Sequence, residues 1–544
     1  MSKRIRDELF DHLLAVISET NGISLMSTLE MMLQSHRIKD RPLLLGPIAR
    51  FKELLHEYHS GRADVHELLH HPVSYALNKF FLSFPIPFKE QHIHLTGSLS
   101  PEFIFPYLKK LLNGPNAEIY RKKITDVYGP GSDEINSPED LNQLLVLKDD
   151  ERFSRYLEIL LIPKLILTSK EIHKKAAFHM AKDLYEKYNV GSIRLKFTYS
   201  RASSNSSDQI PGLEELSGED VVLGLFEGFK AYKKQQPSFD FILSPCFRKE
   251  DDFFDSENYA SKKEHFEAQV DSIIELLEKY PELVRYLNDV DTVGNEMNLY
   301  KKEHFDIMRV GFRKLAARGI RVRSHHGETF ITLKKGVQAV DNSMNIWRID
   351  TLEHGLALGI NPNVYFQSMM EQAMCINAES VPIDSGALYR ELIEWEFTDE
   401  SIRQKLLKGE PLDDKEKQEF IKTKFYHALE VEHYQHDVLN RLMDKRVKLT
   451  ALPSSNQKLT AVVPGFKDHP FSWWEKKGIR LGVGTDNYIT LNTNYIQELL
   501  LLLFAEPEDL KIMKLLMIAT GENRRPHLSH LLWEAKNKIL GEKF

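Results

Sequence analysis

Apolar residues recur at three- and four-residue spacing through residues 1 to about 88, as in "LFDHLLAVI" and "ARFKELLHEY". That is the stripe of amphipathic helices. Pro72, Pro85 and Pro87 end the pattern, since proline breaks helical periodicity. From Lys89 the text changes to short apolar, β-rich runs with helical stretches between them. These are "QHIHLTG" from Gln91, "SIRLKFTYS" from Ser192, "DFILSPC" from Asp240, "VRYLNDVD" from Val284, "IRVRSHHG" from Ile320, "WRIDTLEHG" from Trp347, "VKLTALPSS" from Val447 and "IRLGVGTDN" from Ile479. Eight strands alternating with helices predict an α/β fold, a (β/α)8 barrel of TIM type. The predicted organisation is a helical N-terminal extension, residues 1–88, before a barrel at residues 89–544. Two connections are too long for a bare barrel and read as helical insertions, at about 98–191 and 361–440. A polar loop, "SSNSSDQIPGLEELSGED", follows the second strand.

In such barrels the chemistry sits at the C-terminal ends of the strands. Here those ends carry His92 and His94, then His325, His326 and Glu328, then His354, and finally Asp486 and Asn487. Residues i and i+2 of a strand share a face, so His92 and His94 would present two imidazoles to one side. Three imidazoles and one carboxylate suit a divalent transition metal, most simply Zn²⁺ with a position left for water. The metal brings the pKa of that water toward neutrality. Glu328, three residues past His325, could shuttle a proton to the substrate.

Composition narrows the field. The chain has 544 residues, 42% hydrophobic and 28% charged, with a formal charge of −7. That balance gives no general case for a nucleic acid or an anionic membrane as partner. Two cysteines, Cys246 and Cys375, exclude a disulfide framework and a cysteine-rich zinc site. "PCFRKE" at Pro245 has one cysteine where the cytidine-type deaminase site needs two. The N-terminus is amphipathic with acidic residues, unlike a signal peptide. The longest apolar run, "LLLLLFA", is too short for a bilayer. A soluble cytoplasmic protein is expected.

The set "EQHIHLTGS", "LKFTYS", "DTVGNE", "SHHGE", "LEHG", "LPSSN", His469–Pro470 and "GVGTDN" resembles, in order and spacing, the adenosine/AMP deaminase family of the metal-dependent amidohydrolase superfamily. The chain reads as a divergent member with large insertions. The resemblance implies one Zn²⁺ per chain on His92, His94, His325 and Asp486. It implies that Glu328 protonates purine N1, that His354 orients and polarises the hydroxide, and that Gly294, Asn487 and His94 meet the substrate. The implied reaction is hydrolysis of a cyclic amidine C–N bond, turning adenosine or deoxyadenosine into the 6-oxo purine plus ammonia. Where the family has a small residue, this chain has His326, and Asn487 replaces a second aspartate. An asparagine amide donates to N7 without needing a proton.

Rival readings stand beside this one. Adenine nucleotides, AMP or ATP, are the alternative substrates, with Arg201, Arg248 and Lys249 as cations that could rim the mouth and grip phosphate. Another mononuclear zinc amidohydrolase and a non-catalytic barrel scaffold are the remaining classes. A bridging lysine, usual on the fourth strand of two-metal members, is missing from "VRYLNDVD", which favours one metal. His66, Glu67 and His70 spell H-E-x-x-H, a zinc-peptidase spacing, with Glu90 downstream. Pro72 closes that helix at once, and the segment lies outside the barrel. The helices of residues 1–88 and 361–440 offer apolar faces for homo-oligomer contacts.

Overall fold

The computed structural model describes residues 3–39, 41–148, 151, 153–199, 210–211, 213, 216–460 and 462–541. Eight strands form one sheet in chain order: β1 Phe88–His94, β2 Val190–Thr198, β3 Asp240–Arg248, β4 Asp289–Val293, β5 Arg321–His326, β6 Thr351–His354, β7 Lys448–Ala451 and β8 Arg480–Val483. Each pairs in parallel with the next. The sheet closes just past β8, where Ile93 bridges Asp486 in parallel. There the His94 amide donates to the Asp486 carbonyl at 2.8 Å, and the Asp486 amide donates to the His92 carbonyl at 2.9 Å. The barrel seam therefore clips the two ends that carry candidate ligands to each other. The (β/α)8 fold expected from the strand pattern is the fold observed.

One strand is shorter than its text suggests. Pro281–Arg285 forms a 3-10 turn, and β4 begins only at Asp289. Proline at the first position of that turn pre-sets φ and holds the segment off the sheet.

The two insertions are helical. Residues between β1 and β2 form six helices, and Lys170–Tyr188 returns the chain to β2, capped by Ser169 and ended by Asn189 in the left-handed region. Between β6 and β7 run Pro362–Ala378, Gly386–Glu394, Glu400–Lys408 and the 31-residue helix Asp414–Asp444. The helices of residues 1–88 bury their apolar faces in the core that the barrel also uses: Leu9, Leu13, Phe51 and Leu77 belong to the same contiguous cluster as Val322 and Leu352. Backbone contacts fix this docking, for example the Met26 amide on the Pro507 carbonyl at 2.7 Å. Among the described residues, no helix is long and apolar enough to cross a membrane.

Candidate metal and acid–base centre

Strands buried on both faces in a parallel sheet ordinarily read as continuous apolar runs. This barrel instead buries Glu90, His92, Lys196, Asp291, Arg323, His325, Glu353 and His354. Their arrangement explains why.

His92 and His94 point the same way from β1, as their i, i+2 spacing requires. His325 joins them from β5. The Nε2 atoms of His92 and His94 are 3.1 Å apart, and those of His325 and His92 are 3.2 Å apart. Asp486 Oδ1 lies 3.6 Å from His92 Nε2 and 3.4 Å from His94 Nε2. These are not hydrogen bonds between rings. His92 Nδ1 faces Glu353 Oε2 at 2.9 Å, and His325 Nδ1 faces Asp291 Oδ1 at 3.1 Å. Carboxylates accept, so both Nδ1 atoms carry the proton and both Nε2 lone pairs turn inward. Burial holds both rings neutral, far below the usual imidazole range. Two lone pairs facing at 3.2 Å repel each other unless a cation sits between them. Ligand atoms about 2.0–2.1 Å from a zinc ion lie about 3.3 Å apart in a tetrahedron, the spacing seen here. Hydrogen bonding of metal-ligand imidazoles to carboxylates is the usual support of such sites. The donor set fits a zinc-type ion. His92, His94 and His325 are also the group of described residues whose ligand atoms converge closely enough to hold one.

The carboxylates have their own support. Lys196 Nζ, fully buried, touches Asp291 Oδ2 and lies 3.1 Å from Glu353 Oε1. Arg323 Nε donates to the same Glu353 oxygen at 2.5 Å. The two cations hold the Glu353 carboxyl well below the ordinary glutamate range against the cost of burial. Ser455 Oγ donates to Asp486 Oδ2 at 2.6 Å, which leaves Oδ1 for the centre.

Two side chains are aimed by backbone that few residues adopt. His354 has φ +64° and Asp486 φ +67°. Left-handed, non-glycine positions cost on the order of 1–3 kcal/mol and cluster at functional sites. At the end of β6 a relay fixes the His354 tautomer. The Phe471 amide donates to His469 Nδ1 at 3.2 Å, so the proton of His469 is on Nε2 and goes to Asn456 Oδ1 at 3.0 Å. The Asn456 amide then donates to His354 Nδ1 at 2.9 Å. His354 therefore carries its proton on Nε2. Glu328, 6% exposed, has Oε1 3.5 Å from His354 Nδ1, beyond a good hydrogen bond. Burial and the nearby Asp486 and Glu296 carboxylates push the Glu328 carboxyl well above its usual value, so it is a neutral acid. Glu296 shapes the loop beneath it by accepting the amides of Gly327, Glu328 and Thr329 at 2.7–3.0 Å.

These groups open on one cavity. Its floor has His94, His325, Glu328, His354 and Asp486, and Gly294 lies on its wall. Gly294 has φ +109°, and a Cβ there would lie 2.2 Å from the Glu250 carboxylate, so only glycine fits. The opposite wall is largely apolar and comes from the first insertion: Phe153, Tyr156, Leu157, Leu160 and Leu167.

Several expected residues lie elsewhere. His326 faces outward between β5 and the helix layer, tilted against Phe305 and edge-on to Trp347 with ring centroids 5.2 Å apart, and with Nδ1 on Ser324. Strand alternation gives the centre to His325. Asn487 is fully buried and does not line the cavity; its amide donates to Tyr156 Oη at 2.6 Å and to Asp486 Oδ1 at 2.9 Å. Lys249 is 1% exposed, its ammonium on the His325 carbonyl, so it is not a rim cation. Arg248 lines the cavity but is clamped by both oxygens of Glu250. Arg201 lies outside the described residues. The H-E-x-x-H stretch is a five-residue helix, Val65–Leu69, in which Glu67 completes a capping box with Asp64 and His70 Nδ1 meets the His66 carbonyl. Glu90 is buried under the barrel seam on Thr485 and the His92 amide.

Sequence reasoning passed over Lys196, Asp291, Glu296 and Glu353, although all four stand in the motifs it singled out. The readable signal was charge inside strands expected to be apolar on both faces.

No family model and no curated protein matches the chain. Among solved structures it is similar to the adenine deaminase of Arthrobacter aurescens, with 14% identity and a TM-score of 0.46 over 84% of this chain and 99% of that one. It is also similar to a zinc-bound amidohydrolase of Burkholderia ambifaria, with 13% identity and a TM-score of 0.49 over 85% of this chain and 93% of that one. A third is the N6-methyl-AMP deaminase of Arabidopsis thaliana, with 12% identity and a TM-score of 0.48 over 84% of this chain and 99% of that one.

Proposed function

We propose that the chain is a mononuclear, zinc-dependent hydrolytic deaminase that converts an adenine nucleoside, adenosine or deoxyadenosine, into the 6-oxo purine plus ammonia. The observation that carries this is the convergence of two inward Nε2 lone pairs, His94 and Asp486 Oδ1 beside a buried, neutral Glu328. His92, His94, His325 and Asp486 would hold the metal, which supplies Lewis acidity and brings the pKa of a ligated water toward neutrality. The chain's own residues divide the remaining work. Glu328 gives its proton to N1, which takes up the electrons of the C6=N1 bond as the water oxygen bonds to C6. His354, with its proton on Nε2, donates toward the attacking oxygen and does not serve as the base. The proton left on the added oxygen passes to the exocyclic nitrogen, so that ammonia leaves and the ring is restored as the 6-oxo form, while the proton the water gave up returns to Glu328. Gly294 offers backbone at the cavity wall.

An uncharged nucleoside is favoured over AMP or ATP because the described cations at or near the cavity are engaged: Arg248 by Glu250, Lys249 inside the protein and Lys196 by Asp291 and Glu353, and Lys164 on the lining is not free either. The test is zinc-loaded protein against adenine, adenosine, deoxyadenosine, AMP and ATP, read by loss of adenine absorbance together with ammonia release. Turnover of the nucleosides is expected. Preference for a nucleotide would replace the substrate reading, and no turnover of any adenine compound would sink the deaminase reading.

We also propose that a second copy of the chain covers the outer face of the helix Asp414–Asp444. Ile421, Phe425, Tyr426 and Leu429 are 40, 54, 67 and 37% exposed there, an i, i+4, i+8 stripe on one face. The helices of residues 1–88, by contrast, bury their apolar faces within the chain. Light scattering should show association that weakens in Phe425→Glu. A strict monomer across the micromolar range would exclude the contact.

A further inference from the structure

The residue expected to meet purine N7, Asn487, is turned away from the cavity, and its place is taken by a side chain from the first insertion. Tyr156 sits on the helix Phe153–Ile159, is 7% exposed, and lines the cavity. Its oxygen accepts the Asn487 amide at 2.6 Å. The orientation of that amide is fixed. Its second hydrogen reaches Asp486 Oδ1 at 2.9 Å, and the reversed amide would set its own oxygen against a carboxylate oxygen. The side chain lies directly against Gly97, where a Cβ would fall 1.8 Å from Asn487 Oδ1. With one lone pair of the phenol taken by Asn487, the phenolic hydrogen must find an acceptor on the cavity side, where Phe153 packs at 5.8 Å and Leu157 lines the wall. Buried hydroxyls ordinarily pair, so this donor is directed at what enters the cavity.

We propose that Tyr156 is a substrate-recognition residue whose hydroxyl donates to the imidazole-ring nitrogen N7 of a purine, held in that role by Asn487. The inference rests on the purine deaminase reading of the same site. It follows from the contacts around the centre. Glu328 lies against His354, its Oε1 3.5 Å from Nδ1, and is suited to N1. Tyr156 joins the centre through Asn487 and Asp486. The two ring nitrogens that flank C6 are N1 directly and N7 through C5, so a base with N1 at Glu328 turns N7 toward Tyr156. The chain thus keeps a donor at this position but supplies it from a helix that the barrel does not need.

The experiment compares wild type with Tyr156→Phe on two competitive inhibitors of adenosine turnover, the product inosine and its 7-deaza analogue, which has C–H where N7 stands. Metal content is measured on both proteins. A hydrogen bond of ordinary strength, about 0.5–1.5 kcal/mol, corresponds to roughly a two- to tenfold change in inhibition constant. Tyr156→Phe should raise the inosine constant by that factor, leave the 7-deaza constant unchanged and keep its metal. Equal weakening of both inhibitors, or loss of metal in the variant, would mean that the hydroxyl is structural and would overturn the proposal. Wild type that turns over no adenine compound fails earlier and differently, since it removes the deaminase reading itself.

Discussion

The chain contains two histidine pairs at ligand spacing, and only one of them is a centre. His66 on the short helix Val65–Leu69 and His70 at its C-cap lie one turn apart, with ring centroids 6.4 Å apart. His70 Nδ1 turns back to the His66 carbonyl, and Glu67 is occupied in a cap. His92 and His94 are two residues apart on β1, with Nε2 atoms 3.1 Å apart. The difference is not the spacing, since both spacings occur in metal proteins. It is what stands behind the rings. The strand pair has Glu353 and Asp291 fixing the tautomers of His92 and His325, and Lys196 and Arg323 fixing those carboxylates. Among the described residues, no carboxylate stands behind His66 or His70. A ligand motif becomes a site when a second layer decides which nitrogen faces inward.

The largest effect should come from breaking the strand set itself. His92→Ala or Asp486→Ala should abolish both metal retention and turnover, measured by metal analysis after gel filtration and by ammonia release. If both variants keep metal and activity while His66→Ala loses them, the roles of the two pairs are reversed.

The next change separates holding the metal from moving the proton. Glu328→Gln keeps the shape but removes the acid. The expected loss is about 10²–10⁴ in kcat, with metal content unchanged. Wild-type speed in this variant would remove Glu328 from the mechanism.

The layer behind the rings is tested by Glu353→Gln and Asp291→Asn. Each leaves an imidazole without its charged acceptor. Loss of such a partner typically costs about 10–100-fold in metal affinity, readable by competition with a chelator. Unchanged affinity would mean that the strand pair needs no orientation and that the contrast with the helical pair lies in spacing alone.

The smallest effect belongs to the helical pair. His66→Ala and His70→Ala should leave metal and turnover untouched and shift stability by no more than about 0.5 kcal/mol, as for exposed substitutions away from special features. A drop in metal content in either would be evidence for a second ion.

Much of the barrel was legible. Alternating β-rich and helical text announced eight strands in the order observed, and the polar ends of β1, β5, β6 and β8 gave the residues that converge. His325 could be chosen over His326 by motif spacing, and strand alternation shows why. The text misled at β4, where Val284 and Arg285 read as strand but follow a proline into a 3-10 turn. It also misled for Lys249 and Arg248, whose charge suggested a rim and whose partners, the His325 carbonyl and Glu250, come from folding. Asn487 read as a substrate contact because it stands where the resembled family has a second aspartate. Its burial against Tyr156 joins residues 331 positions apart, a pairing that no local pattern records.

The sequence by itself determined the periodicities, and with them the element types, the barrel and the identity of the side chains at the strand ends, because these depend on neighbours two to four residues away. Only the tertiary structure decided which ring nitrogen faces inward, which cations are already paired and which helix walls the cavity. Those are set by contacts between β1 and β6, β4 and β5, and the first insertion and the loop after β8, where burial makes every unpaired charge or lone pair costly and so leaves one arrangement.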